Sequence, residues 1–173
     1  RCPLRCGYCM PAIGTPGVPG EQVLSYEEIT SFCGALKARF ALSQVRLTGG
    51  EPLLRPGIEK LLAMLAQLGA PDLALTTNGQ ELAEHAGRLR QAGLRRINIS
   101  LDSLNSSSFA AITQGGVLAK TLAGIAAARR AGLHPIKLNM VVLRGQNDHE
   151  VADMVRFAAE NDFDRWQQTQ FGA

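Results

Sequence analysis

Cys2, Cys6 and Cys9 stand in a C-x3-C-x2-C spacing at the start of the 173-residue sequence. Three thiolates on one short loop can converge on a metal centre. A structural zinc site takes four ligands, and no fourth candidate stands near: the histidines are His85, His134 and His149, and Cys33 falls in a helical pattern. An iron–sulfur cube is ordinarily held by four cysteines. Held by three, it keeps one iron open to an exogenous ligand, which a catalytic cluster needs. Two alternatives stay open on spacing alone: a zinc site completed by another chain, or a Cys6-x-x-Cys9 dithiol.

Two further charges invite a chemical reading. Arg46 and Lys137 each sit inside an otherwise apolar strand pattern. Burying an unpaired charge is expensive, so an anionic ligand such as a triphosphate is a sensible partner. The alternative is an inward ion pair with Glu51 or Asp102. Thr76 and Ser100, taken alone, read as strand hydroxyls bonded to backbone. Gly49-Gly50 alone reads as a turn at a strand end.

The elements that must position these residues alternate along the chain. Gly14 to Gly20 is rich in Gly and Pro and is expected to be irregular. Ser25 with Glu28 makes a capping box for a helix carrying Ile29, Phe32, Cys33, Leu36 and Phe40 at helical spacing. Strand patterns follow at 44–48, 73–77, 96–101 and 136–143, with one more over 165–171. Between them lie helical patterns at 56–68, where Pro56 would fall in the first turn, then at 81–91, 107–112, 118–131 and 149–160. Strand and helix alternating at short spacing predict parallel βα units. Strands such as Ile97-Asn98-Ile99-Ser100-Leu101 suit a wall with one face on helices and the other on a polar interior. Polar residues gather at strand C-terminal ends (Thr48, Thr76, Thr77, Asn78, Ser100 and Asp102), where α/β architectures keep their active sites. The expected fold class is α/β, a partial (β/α) barrel of parallel strands with outer helices.

Cys2-Pro-Leu-Arg-Cys6-Gly-Tyr-Cys9 resembles the cysteine loop of the radical S-adenosylmethionine (SAM) enzymes, and Gly49-Gly50-Glu51-Pro52 resembles their GGEP motif. Within that superfamily the chain is similar to the GTP 3′,8-cyclases of molybdenum cofactor biosynthesis. The likeness rests on Cys9-Met-Pro11, Arg46 to Arg55, Leu75-Thr-Thr-Asn-Gly79, Leu94 to Ser103, Ile136-Lys-Leu-Asn139 and Arg144-Gly-Gln-Asn-Asp148. The resemblance implies that Cys2, Cys6 and Cys9 ligate a [4Fe-4S] cluster whose open iron chelates SAM. It implies that Tyr8, Gly50 and Ser100 contact SAM, and that Arg46, Thr76 and Lys137 contact GTP. The implied reaction starts from a 5′-deoxyadenosyl radical and turns GTP into (8S)-3′,8-cyclo-7,8-dihydroguanosine 5′-triphosphate. Another radical SAM enzyme acting on a peptide, and a non-catalytic zinc or thiol module, are the competing readings.

The sequence also departs from the family pattern. A strand with a GTP-contacting arginine before the loop, and a C-terminal three-cysteine cluster for the guanine base, have no counterpart here. Residues 165–173 do not follow the family's apolar-acidic strand, and Gln114-Gly-Gly116 replaces a more basic stretch. The chain is therefore expected to be an N- and C-terminally incomplete radical SAM core, binding guanine poorly by itself. A formal net charge of +3 is too mild to argue for nucleic acid or a membrane surface. No apolar run approaches a membrane span. Clustered cysteines without a disulfide framework fit a reducing, cytoplasmic setting. An electron donor is required by the implied chemistry. A homodimer is compatible with the sequence, which does not specify an oligomeric state.

Overall fold

The computed structural model describes residues 1–9, 22–70, 72–161 and 163, and the backbone of 165–170. Met10, Pro11 and the segment from Gly14 to Gly20 lie outside the described residues, as do Phe171 and the side chain of Trp166.

Helix α1 spans Tyr26–Arg39 and is opened by the expected capping box. The Glu28 amide donates to Ser25 Oγ at 3.1 Å, and the Ser25 amide donates to Glu28 Oε2 at 2.7 Å. Strand β1 is Val45–Leu47, followed by a 3-10 turn at Pro52–Leu54 and helix α2 at Ile58–Gln67. Then come β2 Leu73–Thr77, α3 Leu82–Gln91, β3 Arg96–Ser100, α4 Ser106–Thr113 and α5 Leu118–Arg130. Strand β4 is Ile136–Val142, α6 is Val151–Glu160 after a 3-10 turn at Asp148–Glu150, and β5 is Arg165–Gln170.

Two local expectations are corrected. Helix α2 starts two residues after Pro56, because Gly57 takes a left-handed conformation (φ 70°) at the N-cap; the proline stands outside the helix. Phe32 and Phe40 recur at helical spacing in the sequence, yet both are exposed, and α1 holds no fully buried residue. Only Tyr26, Ile29 and Cys33 of α1 lean on the core.

The five strands form one parallel sheet in the order β1-β2-β3-β4-β5. Right-handed crossovers between successive neighbours put every connecting helix on the same side, giving the wall of an open (β/α) barrel. Side-chain alternation does the rest. Leu73, Leu75, Ile97, Ile99, Ile136, Leu138, Met140 and Val142 point to the helices and are buried with Leu62, Leu65, Leu82, Leu89, Phe109 and Met154. The opposite face carries Arg46, Thr76, Asn98, Ser100, Lys137 and Asn139. The site is therefore built on the sheet face that the helices leave open.

Candidate radical SAM site

Register converts that alternation into a map. Arg46 pairs with Ala74, and Ala74 with Arg96. One rung further along the strands, Thr76 pairs with Asn98 and Asn98 with Lys137. The next rung places Ser100 beside Asn139. Thr76 and Lys137, predicted from separate strands, thus flank Asn98 in a single file, and Ser100 stands one rung closer to the strand ends. Asn98 Nδ2 donates to Thr76 Oγ1 at 3.3 Å, and Asn98 is only 8% exposed. Buried Asn139 Oδ1 has no hydrogen-bond partner among the described residues. Arg46 is exposed and Lys137 half-buried, so the expectation of a buried charge fails for Arg46.

The cysteine loop lies across the strand ends and is tied to several elements. Leu4 is buried at 4% exposure. The Arg5 amide donates to Thr113 O at 3.0 Å, and the Glu51 amide donates to Arg1 O at 2.8 Å. A Cβ on Gly50 would strike the Arg1 carbonyl oxygen and lie 2.7 Å from the carbonyl carbon. Glycine is required at 50 because the loop's own backbone approaches there. Gly49 has φ 143°, a conformation that favours glycine, with open space around its missing side chain.

Two buried carboxylates brace the loop. Glu51, 4% exposed, accepts from the Leu53 amide at 3.0 Å, Thr77 Oγ1 at 2.8 Å and the Asn78 amide at 2.8 Å. Asp102, 2% exposed, accepts from Tyr8 Oη at 2.7 Å and the Val141 amide at 2.9 Å. Burial raises both carboxyls above their usual range against these hydrogen bonds, which lower them. The ion-pair alternative for Arg46 and Lys137 named these two carboxylates; their oxygens instead take neutral donors. Asn147, fully buried, donates from Nδ2 to Asp102 O at 2.7 Å and Val141 O at 2.8 Å, and accepts from the Leu143 amide at 2.7 Å. That gives the Arg144-to-Asp148 motif its structural reason.

The three thiols are free. Burial first, and the nearby Asp102, Cys2 and Cys9 charges, push the Cys6 thiol up to about 11, while a hydrogen bond with Tyr8 lowers it. Burial and Asp102 raise the Tyr8 phenol strongly. Among the described residues no three His, Cys, Asp or Glu side chains close into a metal-ligand group. The donor set nonetheless fits an iron–sulfur cluster in its chemistry: three thiols on one short loop anchored by its backbone to Thr113 and Glu51, with Asn78 Nδ2 3.8 Å from Cys2 Sγ.

The radical SAM superfamily model matches residues 1–158. The chain belongs to the radical SAM superfamily. A [4Fe-4S] cluster and SAM are the cofactors of radical SAM enzymes, and membership makes this chain one of them, which sets aside the zinc or thiol module. A GTP 3′,8-cyclase of Listeria monocytogenes serovar 1/2a is 50% identical over 163 residues, covering 94% of this chain and 49% of that protein. One from Geobacter sulfurreducens is 50% identical over 161 residues, covering 92% and 49%. The chain spans about half the length of the curated relatives it matches. Streptococcus suis SuiB bound to S-adenosylmethionine shares the fold, with a TM-score of 0.80 at 20% identity over 99% of this chain and 39% of that one. Methylornithine synthase does so at 0.76 and 18%, covering 99% and 50%.

Sequence alone assigns no role to Asn98, Asn139 and Asn147, and it places Asn78 and Asp102 only among the polar strand ends, Asp102 also as an ion-pair partner. Asn98 could have been found by aligning the strands on their apolar faces. The others needed the loop packing.

Proposed function

We propose that this chain is the core of a GTP 3′,8-cyclase, acting in molybdenum cofactor biosynthesis and producing (8S)-3′,8-cyclo-7,8-dihydroguanosine 5′-triphosphate. What carries the reading is the rung Thr76–Asn98–Lys137 on the open sheet face beside the cysteine loop, together with the named cyclases that are 50% identical. Cys2, Cys6 and Cys9 would hold the [4Fe-4S] cluster, and Tyr8, Gly50 and Ser100 would contact SAM. When bound, the cluster and SAM together supply a one-electron reductive cleavage that generates a carbon radical.

The chain's own residues bind and orient. Arg46 and Lys137 offer two cations to a triphosphate, one on the solvent side and one half-buried. Thr76 supplies a hydroxyl held in place by Asn98. Asp102 accepts from the Tyr8 hydroxyl and so ties that side chain to the end of β3. The reading brings with it a cytoplasmic location, a separate electron donor, and a full-length protein that completes the guanine pocket. Among the described residues no single helix is long and apolar enough to cross a membrane.

Calorimetric titration of GTP into the reconstituted full-length protein tests the substrate. Lys137→Ala should weaken GTP binding by about tenfold or more, the loss of a charge-assisted contact, with SAM affinity unchanged. Undiminished GTP affinity would point to another substrate.

A further inference from the structure

The Thr-Thr-Asn-Gly segment at the end of β2 contains one polar side chain with no assigned role. Asn78 Nδ2 lies 3.8 Å from Cys2 Sγ, within N–H···S hydrogen-bond range. The orientation of this amide is not arbitrary. Asn78 Oδ1 accepts from the Gln80 amide at 2.9 Å, so the NH2 end must face the sulfur. The backbone is pinned on both sides: the Asn78 amide donates to Glu51 Oε2 at 2.8 Å, and its carbonyl accepts from Thr121 Oγ1 at 3.1 Å. Next to it, Gly79 (φ 78°) permits the turn that aims the side chain back at the loop. The donor is therefore held in place before any cofactor binds.

We propose that Asn78 is a positioning residue for the electron-transfer step, a fixed N–H donor to the Cys2 sulfur that sets the reduction potential of the cluster. The inference rests on ligation of the cluster by Cys2. A reduced cluster carries one more negative charge than an oxidised one, and the ligand sulfurs share that charge. A hydrogen bond to a ligand sulfur therefore stabilises the reduced state more, and raises the potential. Half-burial of both residues limits the water available to replace the lost donor. The Glu51 carboxylate that anchors the Asn78 amide would lower the potential by its own charge, and the Asn78 donor works against it.

The test is an EPR-monitored redox titration of the anaerobically reconstituted full-length protein, without SAM or GTP. Wild type is compared with Asn78→Asp, which keeps the acceptor for the Gln80 amide, and Asn78→Leu, which removes the donor without adding charge. Both variants should bind as much iron per chain as wild type and show a midpoint potential shifted to more negative values. The shift should be larger for Asn78→Asp. An unchanged midpoint in Asn78→Leu at full iron content would overturn the proposal. Loss of iron from both variants would also overturn it, since Asn78 would then serve only to hold the loop. A Cys2→Ala variant that keeps the wild-type iron content and EPR signal would refute ligation by Cys2, an outcome distinct from either.

Discussion

At the scale of single residues, the site depends on buried carboxylates whose hydrogen bonds among the described residues are to neutral donors. Tyr8→Phe removes the hydroxyl that donates to Asp102 Oδ2 at 2.7 Å. A carboxylate that is 2% exposed then keeps one oxygen unsatisfied. The expected loss is about 1–3 kcal/mol of folding stability, read from denaturant midpoints. An unchanged midpoint would mean that the bond contributes nothing in solution. The spacing of Cys2, Cys6 and Cys9 alone left a cluster, a zinc site and a dithiol open, whereas the place of Thr76 and Ser100 on the polar strand face was legible from residue type and alternation. Asp102 was not, because it is a single acid at a strand end until the chain folds Tyr8 onto it. Arg46 was misread in one respect: its strand neighbours are apolar, but β1 is only Val45–Leu47 and leaves the guanidinium exposed.

At the scale of elements, period-2 and period-3.6 patterns carried most of the fold. The five strands and six helices lie close to where alternation and capping placed them. Alternation also told which residues share a face. It could not tell which stand side by side, because register comes from strand pairing, and so the alignment of Thr76, Asn98 and Lys137 had to be seen. One boundary and one helix face escaped for local reasons: Gly57 caps α2 in a left-handed conformation, and α1 leans on the core through few residues. Close packing of helices over the strand ends is the most sensitive element-level contact. A Cβ at Gly124 in α5 would lie 2.7 Å from Gly79 O and 2.9 Å from Leu82 Cβ. Gly124→Ala should therefore cost about 1–3 kcal/mol by overpacking, although alanine favours a helix over glycine. Thermal melts check the sign: a stabilised variant would show that α5 can shift away from the β2–α3 turn without cost.

At the scale of the whole molecule, the cofactor loop is a point where several distant parts of the chain meet. It touches Gly50 and Glu51 after β1, Asn78 after β2, Asp102 after β3 and Thr113 at the end of α4. Loading the cluster should therefore stabilise the domain as a unit, since a ligand that binds only the folded form shifts the folding equilibrium. The reconstituted protein should melt at a higher temperature than the iron-free form, and Cys6→Ser should lose the difference. Equal melting temperatures with and without iron would mean that the loop moves independently of the sheet.

The strand order β1-β2-β3-β4-β5 has a consequence for synthesis. A ribosome delivers each of β2 to β5 next to a strand that has already emerged, so the sheet can grow outward one unit at a time. The cysteines run the other way. They leave the tunnel ahead of β1 to β5 and must wait for Asn78, then Asp102, and finally Asn147, which clamps Asp102 to β4. Until β4 and Asn147 have emerged the three thiols are unsupported, and an iron-delivery machine that acted before then would meet a loop without its sheet. The order of strands thus places a supported cysteine loop after β4 has joined the sheet.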